Sequence, residues 1–195
     1  MARRLYAALS PFLRYHPCMS HPHLEQAELR FKARRFEVLE LDVPTRDGQT
    51  RQYHIVEPND AVVILPLLDR EHVVMIRNKR HGVGKDLWEL PAGTLEPGED
   101  PQPCAERELI EETGYRAAQV SRLLSFYSCP GFCTEMLHAF VAEQLSEAEQ
   151  NLDETEHIEP KVMTLDEAYA MVRDNRIEDG KTVATLLYYR FFATQ

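Results

Sequence analysis

The sequence predicts an α+β fold in which a mixed β-sheet is sandwiched between helices and follows an N-terminal antiparallel β-hairpin. Alternating apolar and polar residues at positions 36–58 predict the hairpin, and two β-branched runs at 61–67 and 72–77 predict the centre of the mixed sheet. Helix-capping residues that bound positions 100–114 and 164–173 predict helices that cover this sheet.

The size and charge of the chain limit the classes of protein to which it can belong. Its 195 residues, 44% of them apolar, suit one well-buried core. The 32 acidic and 22 basic residues give a formal charge of −10, which argues against non-specific nucleic-acid binding, because such binding needs cationic side chains. The longest apolar run, residues 61–68, is far shorter than the roughly 20 residues that span a bilayer, so we expect a soluble protein without a membrane partner.

The four cysteines have neither the spacing of a zinc site nor that of a disulfide framework. They are Cys18, Cys104, Cys129 and Cys133. A reducing cytoplasm is therefore the expected location of the protein.

Residues 1–30 are interpreted as an N-terminal extension, either disordered or similar to a transit peptide. This extension carries arginines but no acidic residue before Glu25. The sequence leaves open whether residues 1–18 belong to the native protein or target it, since Met19 offers a later start.

Residues 31–58 make up the predicted N-terminal β region, whose hairpin reverses at the polar turn Arg46-Asp47-Gly48. Asp69-Arg70-Glu71 then separates the two buried strands expected in the mixed sheet. A helix is expected next, with Asp100 as its N-cap, Pro101 as its first residue and Gly114 as its left-handed stop. These bounds leave about 12 to 13 helical residues.

The rest of the chain alternates strand and helix patterns. Strands are predicted at 120–126, 136–142 and 158–163, and helices at 164–173 and 181–192. Pro130-Gly131 marks the loop between the first two strands, and Thr164-Leu-Asp-Glu167 is a capping box that begins the first of these helices.

Three glutamates on the central predicted helix indicate a metal site. Glu108, Glu111 and Glu112 stand at i, i+3 and i+4, so their side chains share one side of the helix. A divalent cation would relieve their repulsion, and an all-oxygen set favours Mg²⁺, or Mn²⁺, over zinc. Taken alone, the same spacing also suits a solvated acidic surface.

The residues on both sides of these glutamates favour the metal site over the solvated acidic surface. Residues 93–115 follow the pattern Gly-x5-Glu-x7-Arg-Glu-U-x-Glu-Glu-x-Gly-U, where U is a bulky apolar residue. This segment resembles the signature box of Nudix hydrolases. The resemblance implies a Nudix fold, with residues 59–195 as the hydrolase domain.

The resemblance also implies roles for the residues of the box. Glu108, Glu111 and Glu112 would bind the metal, with the backbone carbonyl of Ala92 as a further ligand and Glu112 also counted as catalytic. An ion pair between Glu99 and Arg107 would hold the loop on the helix. Gly93 would let the chain turn tightly before the loop.

Two further segments resemble the ADP-ribose pyrophosphatase subfamily. They are Trp88-Glu-Leu-Pro-Ala-Gly93 and Tyr127-Ser-Cys-Pro-Gly-Phe-Cys-Thr-Glu135. The resemblance assigns Glu135 as the general base, with Glu154 or Glu156 as the alternative.

The same resemblance indicates where substrate binds. Arg80 would bind substrate phosphate, a role that suits a guanidinium. Arg35, Phe36 and Tyr53 are candidates for holding the adenine and ribose. These last three lie in the N-terminal β region, through which family members form homodimers.

The sequence thus predicts Mg²⁺-dependent hydrolysis of ADP-ribose to AMP and ribose 5-phosphate. One alternative is a pyrophosphatase for another nucleotide sugar, such as GDP-mannose. An alternative of a different class is a module that binds ADP-ribose without hydrolysing it. In all three, the partner is a small-molecule nucleotide sugar and not a nucleic acid.

Overall fold

A computed structural model describes residues 21–154 and 156–193. Most of the predicted N-terminal extension, residues 1–20, lies outside the described residues. The described chain begins with a short 3-10 turn at Pro22–Leu24.

The described residues form β-strands and helices in the order β1–β7, α1, β8–β10, α2 and α3. The strands are β1 (Glu28–Lys32), β2 (Phe36–Pro44), β3 (Thr50–Pro58), β4 (Ala61–Pro66), β5 (His72–Arg80), β6 (Lys85–Glu89), β7 (Ala92–Thr94), β8 (Tyr115–Tyr127), β9 (Met136–Glu147) and β10 (Ile158–Thr164). The helices are α1 (Pro101–Thr113), α2 (Leu165–Arg173) and α3 (Gly180–Tyr188).

The N-terminal sheet is antiparallel, with strand order β1-β2-β3. Strands β2 and β3 form the predicted hairpin, in which the buried Leu39 pairs with Ile55. The first strand was not predicted and includes the end of the predicted extension. Its residues alternate between polar and apolar, Glu-Leu-Arg-Phe-Lys, so the pattern of a strand is present, but the strand is only five residues long and every residue in it is exposed.

A four-stranded mixed sheet forms the centre of the molecule, with order β7-β4-β9-β8 and a parallel pairing between β4 and β9. Alternate residues of β4 face opposite layers. Val62 and Ile64 pack in the cluster that includes Leu109 of α1, whereas Val63 and Leu65 pack in the cluster that includes Leu186 of α3. The predicted sandwich of a mixed sheet between helices is confirmed.

A second antiparallel sheet has the order β10-β5-β6. The sequence placed the segments 61–67 and 72–77 in one sheet, which is wrong, because β4 and β5 lie in different sheets. Strand β4 already pairs with β7 on one side and β9 on the other, so both of its hydrogen-bonding edges are used. A single bridge between Leu67 and Val73 joins the two segments.

Helix α1 has the predicted bounds and contains 13 residues. Its C-terminus is Gly114, whose φ of 70° is left-handed and whose N–H donates to the carbonyl of Ile110. The side chain of Gln150 donates to the carbonyl of Glu112 at 2.7 Å, and the N–H of Asn151 donates to that of Glu111 at 3.1 Å. The segment after β9 therefore satisfies the last carbonyls of the helix.

The two later helices begin at side-chain caps. Thr164 accepts a hydrogen bond from the N–H of Glu167, which confirms the predicted start of α2. Helix α3 ends earlier than predicted, at Tyr188, and continues as a π-helical turn over Tyr189–Ala193. None of the helices in the described part of the chain combines the length and apolar character that crossing a membrane requires.

Truncation of the central strand tests the packing of the core. Leu65 is fully buried (0% exposed), so Leu65→Ala is expected to lower the free energy of unfolding by about 2–5 kcal/mol. Urea unfolding followed by circular dichroism measures the change. Leu68→Ala is the control, because Leu68 is 39% exposed and its loss is expected to cost less than about 1 kcal/mol. Equal losses in the two variants would contradict the assigned burial.

Candidate active site

The contact between α1 and β7 creates the most buried carboxylate of the predicted metal set. The side chain of Glu112 is 3% exposed and accepts a hydrogen bond from the N–H of Ala92 at 2.8 Å. Burial raises the pKa of Glu112 to about 8, and the charges of Glu108 and Glu156 add to this effect. Ala92 thus holds Glu112 through its N–H, and the ligand role of its carbonyl stays a prediction.

Arg107 lies among the remaining carboxylates of the box. Its Nη1 donates to Glu108 at 2.7 Å and to Glu111 at 2.9 Å. Its Nε and Nη2 donate to the two oxygens of Glu99 at 3.3 and 3.2 Å. The predicted Glu99–Arg107 ion pair is therefore present, and the same guanidinium also neutralises two predicted metal ligands.

These contacts oppose burial in setting the pKa values of the pair. Burial lowers the pKa of Arg107, but hydrogen bonds and charges from Glu99 and Glu108 outweigh it, so the net shift is upward. Burial raises the pKa of Glu99, while the hydrogen bonds from Arg107 and from the N–H of Glu96 bring it below its ordinary value. Both side chains thus stay charged, and the loop before α1 is held on the helix.

Gly93 is required for a close approach between β7 and α1. A Cβ atom at this position would lie 1.9 Å from Cδ of Glu108, far inside van der Waals contact. The φ angle of Gly93 is not in the left-handed region. A glycine is thus needed here because the Glu108 carboxylate occupies the space of a side chain, and not because of the tight turn expected from the sequence.

A buried ion-pair network holds Arg80 beside the carboxylate helix. Nε and Nη2 of Arg80 donate to the two oxygens of Glu89 at 2.7 and 2.6 Å, and Lys181 donates to the same carboxylate at 2.6 Å. Glu89 is 0% exposed. Hydrogen bonding to Glu89 raises the pKa of Arg80, and the charge of Glu112 contributes in the same direction.

Glu89 was missed by the sequence analysis, although its signal is visible. It is an acidic residue in a strand, between Trp88 and Leu90, and a buried carboxylate in such a position needs cationic partners. Arg80 lies only nine residues before Glu89, on the neighbouring strand β5, whereas Lys181 of α3 lies 92 residues beyond it. The contact with Lys181 is therefore visible only in the folded chain.

The three candidates for the general base, Glu135, Glu154 and Glu156, have different surroundings. The charge of Glu156 contributes to the raised pKa values of both Glu108 and Glu112, although burial is the largest cause for each. The carbonyl of Glu135 accepts a hydrogen bond from the N–H of Ser128 at 3.0 Å. Glu154 is exposed. In this conformation Glu156 is thus the candidate that acts on the predicted metal ligands.

The candidates for holding the base and ribose lie on another part of the molecule. Arg35, Phe36 and Tyr53 are exposed on the N-terminal sheet or beside it. Among the described residues, no hydrogen bond or ion pair joins these side chains to α1. The link between this sheet and the rest of the chain includes Val56 of β3, whose N–H donates to the carbonyl of Phe132 at 2.8 Å.

The donor set fits a hard divalent cation, although Glu108 and Glu111 are paired with Arg107. Within residues 21–154 and 156–193, no three His, Cys, Asp or Glu side chains form a cluster arranged to hold a metal ion. The donors are nevertheless all oxygen atoms, which Mg²⁺ and Mn²⁺ prefer. Burial raises the pKa values of Glu108 and Glu112, and a bound cation would remove this cost by stabilising their charged forms.

The mixed sheet between helices and the glutamates of α1 define the class of protein. The family model described as NUDIX domain matches residues 57–186, and the chain belongs to this family. It is a Nudix hydrolase. The match begins at the end of β3, so most of the N-terminal sheet precedes it.

Individual relatives share most of the chain. It is 42% identical over 149 residues to a methanol dehydrogenase activator from Bacillus methanolicus, covering 75% of this chain and 80% of the relative. It is 38% identical over 149 residues to an ADP-ribose pyrophosphatase from Bacillus subtilis (strain 168), with the same coverages. A GDP-mannose pyrophosphatase from Citrobacter koseri is 36% identical over 139 residues, covering 67% of this chain and 72% of the relative.

A solved structure agrees with this assignment. The crystal structure of an ADP compounds hydrolase superposes with a TM-score of 0.77 at 25% sequence identity. The match covers 87% of this chain and 92% of that chain. The Nudix fold and the α+β class predicted from the sequence are confirmed.

The buried carboxyl group of Glu112 predicts a pH dependence of stability in the metal-free protein. Its folded pKa of about 8 lies above the unfolded value of about 4.3. The folded state therefore binds the proton more tightly, so the contribution of Glu112 to stability is complete below the unfolded pKa and is lost as the pH rises through the folded pKa. In EDTA, Glu112→Gln is expected to raise Tm relative to wild type at pH 9 and to reduce this advantage at pH 5.

Differential scanning calorimetry between pH 5 and pH 9 measures this difference, and Glu106→Gln on the exposed side of the same helix is the control. The control variant is expected to keep the pH dependence of wild type. A constant Tm difference between Glu112→Gln and wild type across this pH range would contradict the raised pKa.

Proposed function

We propose that this chain is a Mg²⁺-dependent pyrophosphatase that hydrolyses ADP-ribose to AMP and ribose 5-phosphate, with Mn²⁺ as an alternative cation. The observation that carries the proposal is the placement of Arg80, held by buried Glu89, within electrostatic reach of the buried carboxylate of Glu112. An anion-binding guanidinium and a cation-binding carboxylate helix thus share one site. A pyrophosphate substrate with its metal ion needs both.

Arg80 is arranged to bind a phosphate oxygen. Glu89 uses the Nε and Nη2 donors of the guanidinium, which leaves the N–H groups of Nη1 for a substrate. Lys181 holds the buried carboxylate of Glu89 in place, and this carboxylate fixes the plane of the Arg80 guanidinium before substrate binds. Such preorganised donors stabilise charge on the phosphate without reorganising during the reaction.

Glu108, Glu111, Glu112 and the backbone carbonyl of Ala92 would hold the metal ion. A bound divalent cation would neutralise pyrophosphate charge and lower the pKa of the attacking water. Arg107 occupies the carboxylates of Glu108 and Glu111 in this conformation. We infer that these two side chains exchange the guanidinium for the cation when the enzyme binds its metal, while Glu99 retains Arg107 in the loop.

Glu156 is our choice as the general base that accepts the proton of the attacking water. Its charge acts on both Glu108 and Glu112, which supports a position beside the predicted metal ligands. The resemblance to the subfamily had favoured Glu135. A general base must lie within hydrogen-bond reach of the attacking water, so position decides between these two carboxylates.

Homodimerisation through the N-terminal sheet belongs to the same proposal. Leu29, Phe31 and Tyr53 are 53%, 56% and 52% exposed on this sheet, and a partner subunit would cover such apolar side chains. Arg35, Phe36 and Tyr53 would then hold the adenine and ribose. The cytoplasm stays the predicted location.

ADP-ribose is preferred over GDP-mannose as the substrate because the sequence segments before and after the box resemble the ADP-ribose pyrophosphatases. The relative named as an ADP-ribose pyrophosphatase is 38% identical to this chain, and the relative named as a GDP-mannose pyrophosphatase is 36% identical. GDP-mannose is therefore kept as the second substrate. Retention of Glu99, Arg107 and the glutamates of α1 supports turnover over mere binding.

A product assay tests the proposed reaction. Purified protein is incubated with ADP-ribose or GDP-mannose in Mg²⁺, in Mn²⁺ or in EDTA, and the products are separated by ion-exchange chromatography. We expect AMP and ribose 5-phosphate, with a kcat/KM for ADP-ribose at least about tenfold above that for GDP-mannose, a difference of about 1.4 kcal/mol. Glu112→Gln is expected to lower kcat by about 10²–10³ because it removes a charged group from the site.

Glu106→Gln is the matched control and is expected to keep wild-type turnover. Binding of ADP-ribose by calorimetry without product would overturn the proposed reaction in favour of a sensor module. Preferential hydrolysis of GDP-mannose would overturn the substrate assignment and retain the pyrophosphatase. Near-normal turnover of folded Glu112→Gln at saturating Mg²⁺ would remove Glu112 from the metal site.

The choice of base has its own test. Glu156→Gln is expected to lower kcat by about 10²–10⁴, the usual contribution of a positioned base, whereas Glu135→Gln should stay within about tenfold of wild type. Steady-state kinetics of both variants from pH 6 to pH 10 measures kcat. The opposite ranking of the two variants would return the role to Glu135.

A further inference from the structure

Two cysteines enclose the Pro130-Gly131 turn that precedes β9. The chain from Cys129 to Cys133 folds back on itself, because the carbonyl of Cys129 accepts hydrogen bonds from the N–H groups of Phe132 at 3.2 Å and Cys133 at 3.0 Å. We call residues 129–133 the cysteine turn. The hydrogen bond between positions i and i+4 closes one helical turn of backbone.

This geometry brings the Cα atoms of the two cysteines into the range of a disulfide. Four residues of helical rise separate these atoms by about 6 Å, and disulfides join Cα atoms about 4.4–6.8 Å apart. Cβ atoms one helical turn apart are about 5–6 Å from each other, whereas a disulfide needs about 3.5–4.5 Å. The cysteine turn therefore has to tighten by about 1–2 Å for the bond to form.

Strand β3 holds the cysteine turn in this conformation. Val56 donates its N–H to the carbonyl of Phe132 at 2.8 Å and accepts a hydrogen bond from the N–H of Thr134 at 3.1 Å. Cys133 forms a parallel bridge with the same residue. These contacts anchor the Cys133 end of the turn, and the hydrogen bonds to the carbonyl of Cys129 keep the two thiols near each other.

The accessibility of the thiols differs within the protein. Cys129 is exposed and Cys133 is partly buried, whereas Cys104 is buried under α1. Burial also raises the pKa of Cys104 far above its ordinary value, and a protonated thiol is a poor nucleophile. Oxidants in solution therefore reach the cysteine turn and not Cys104.

We propose that the cysteine turn is a reversible oxidation site, at which a small-molecule disulfide converts the two thiols into an intramolecular disulfide. The thiolate of Cys129 attacks one sulfur of the oxidant, which forms a mixed disulfide and releases one thiol. The thiolate of Cys133 then attacks the sulfur of Cys129, which forms the Cys129–Cys133 bond and releases the second thiol. Two protons and two electrons thus pass from the protein to the oxidant, which leaves as two thiols.

The new bond would close a five-residue ring at the start of the segment that leads to Glu135. The carbonyl of Glu135 already accepts a hydrogen bond from the N–H of Ser128, so both ends of this segment are close together. A disulfide between Cys129 and Cys133 would lie within this segment and would slow the opening of the segment. Amide hydrogen exchange in residues 128–135 is therefore expected to slow on oxidation and to recover on reduction.

Peptide mass spectrometry tests the site independently of enzymatic activity. The folded full-length protein is incubated with glutathione disulfide, treated with iodoacetamide and digested with trypsin. Cleavage after Arg122 and Lys161 releases both cysteines in one peptide, separate from the peptides of Cys18 and Cys104. We expect this peptide to lose two hydrogen atoms and to resist alkylation, and dithiothreitol to restore two alkylation sites.

Cys133→Ser is the matched variant, because Cys129 then lacks a second thiol and is expected to accumulate the mixed disulfide with glutathione. Cys104 is the internal control and is expected to react at least about tenfold more slowly. Two alkylated cysteines, or a stable glutathione adduct on wild-type Cys129, would overturn the proposal. Modification of Cys104 at the same rate would also overturn it, since the reaction would then follow unfolding. None of these outcomes depends on the substrate of the enzyme.

Discussion

The buried contact between α1 and β7 is the constraint on which the rest of the active site depends. It places the carboxyl group of Glu112 in an apolar environment, where the charged form is disfavoured and the pKa rises to about 8. The N–H of Ala92 and the nearby charge of Arg80 offset part of this cost. Gly93 lets the strand and the helix come this close, since any side chain there would collide with Glu108.

Two guanidinium groups, those of Arg80 and Arg107, each neutralise a different set of carboxylates around this contact. Arg107 balances Glu99, Glu108 and Glu111 at the outer side of the helix, whereas Arg80 balances the fully buried Glu89. The two networks differ in what a cation would do to them. A metal ion would compete directly with Arg107 for the oxygens of Glu108 and Glu111, whereas the bidentate pair of Arg80 and Glu89 involves neither of these glutamates.

Local sequence signals were sufficient for much of the fold and for the carboxylate set. Gly114 and Thr164 act over a few residues, and Pro101 begins α1 although the side chain of Asp100 makes no capping hydrogen bond. These helix boundaries could therefore be inferred from neighbouring positions. Sheet membership of β5 depends on residues many positions away, and so does the pairing of Glu89 with Lys181, whereas Arg80 lies nine residues from Glu89. The strands β1, β6 and β7 have five, five and three residues, which is too short for a clear strand pattern.

The N-terminal sheet is connected to the catalytic half of the molecule through main-chain atoms. Val56 holds the turn at Phe132 by backbone hydrogen bonds on both sides, and two residues beyond Thr134 the chain enters β9 at Met136. Asp60, which immediately precedes β4, accepts a hydrogen bond from the N–H of Met136 at 3.1 Å. The N-terminal sheet and the start of β9 are thus joined by main-chain hydrogen bonds that do not require any particular side chain at Val56. Helix α1 has contacts of its own with β7 and with the segment after β9, so its position does not rest on this connection.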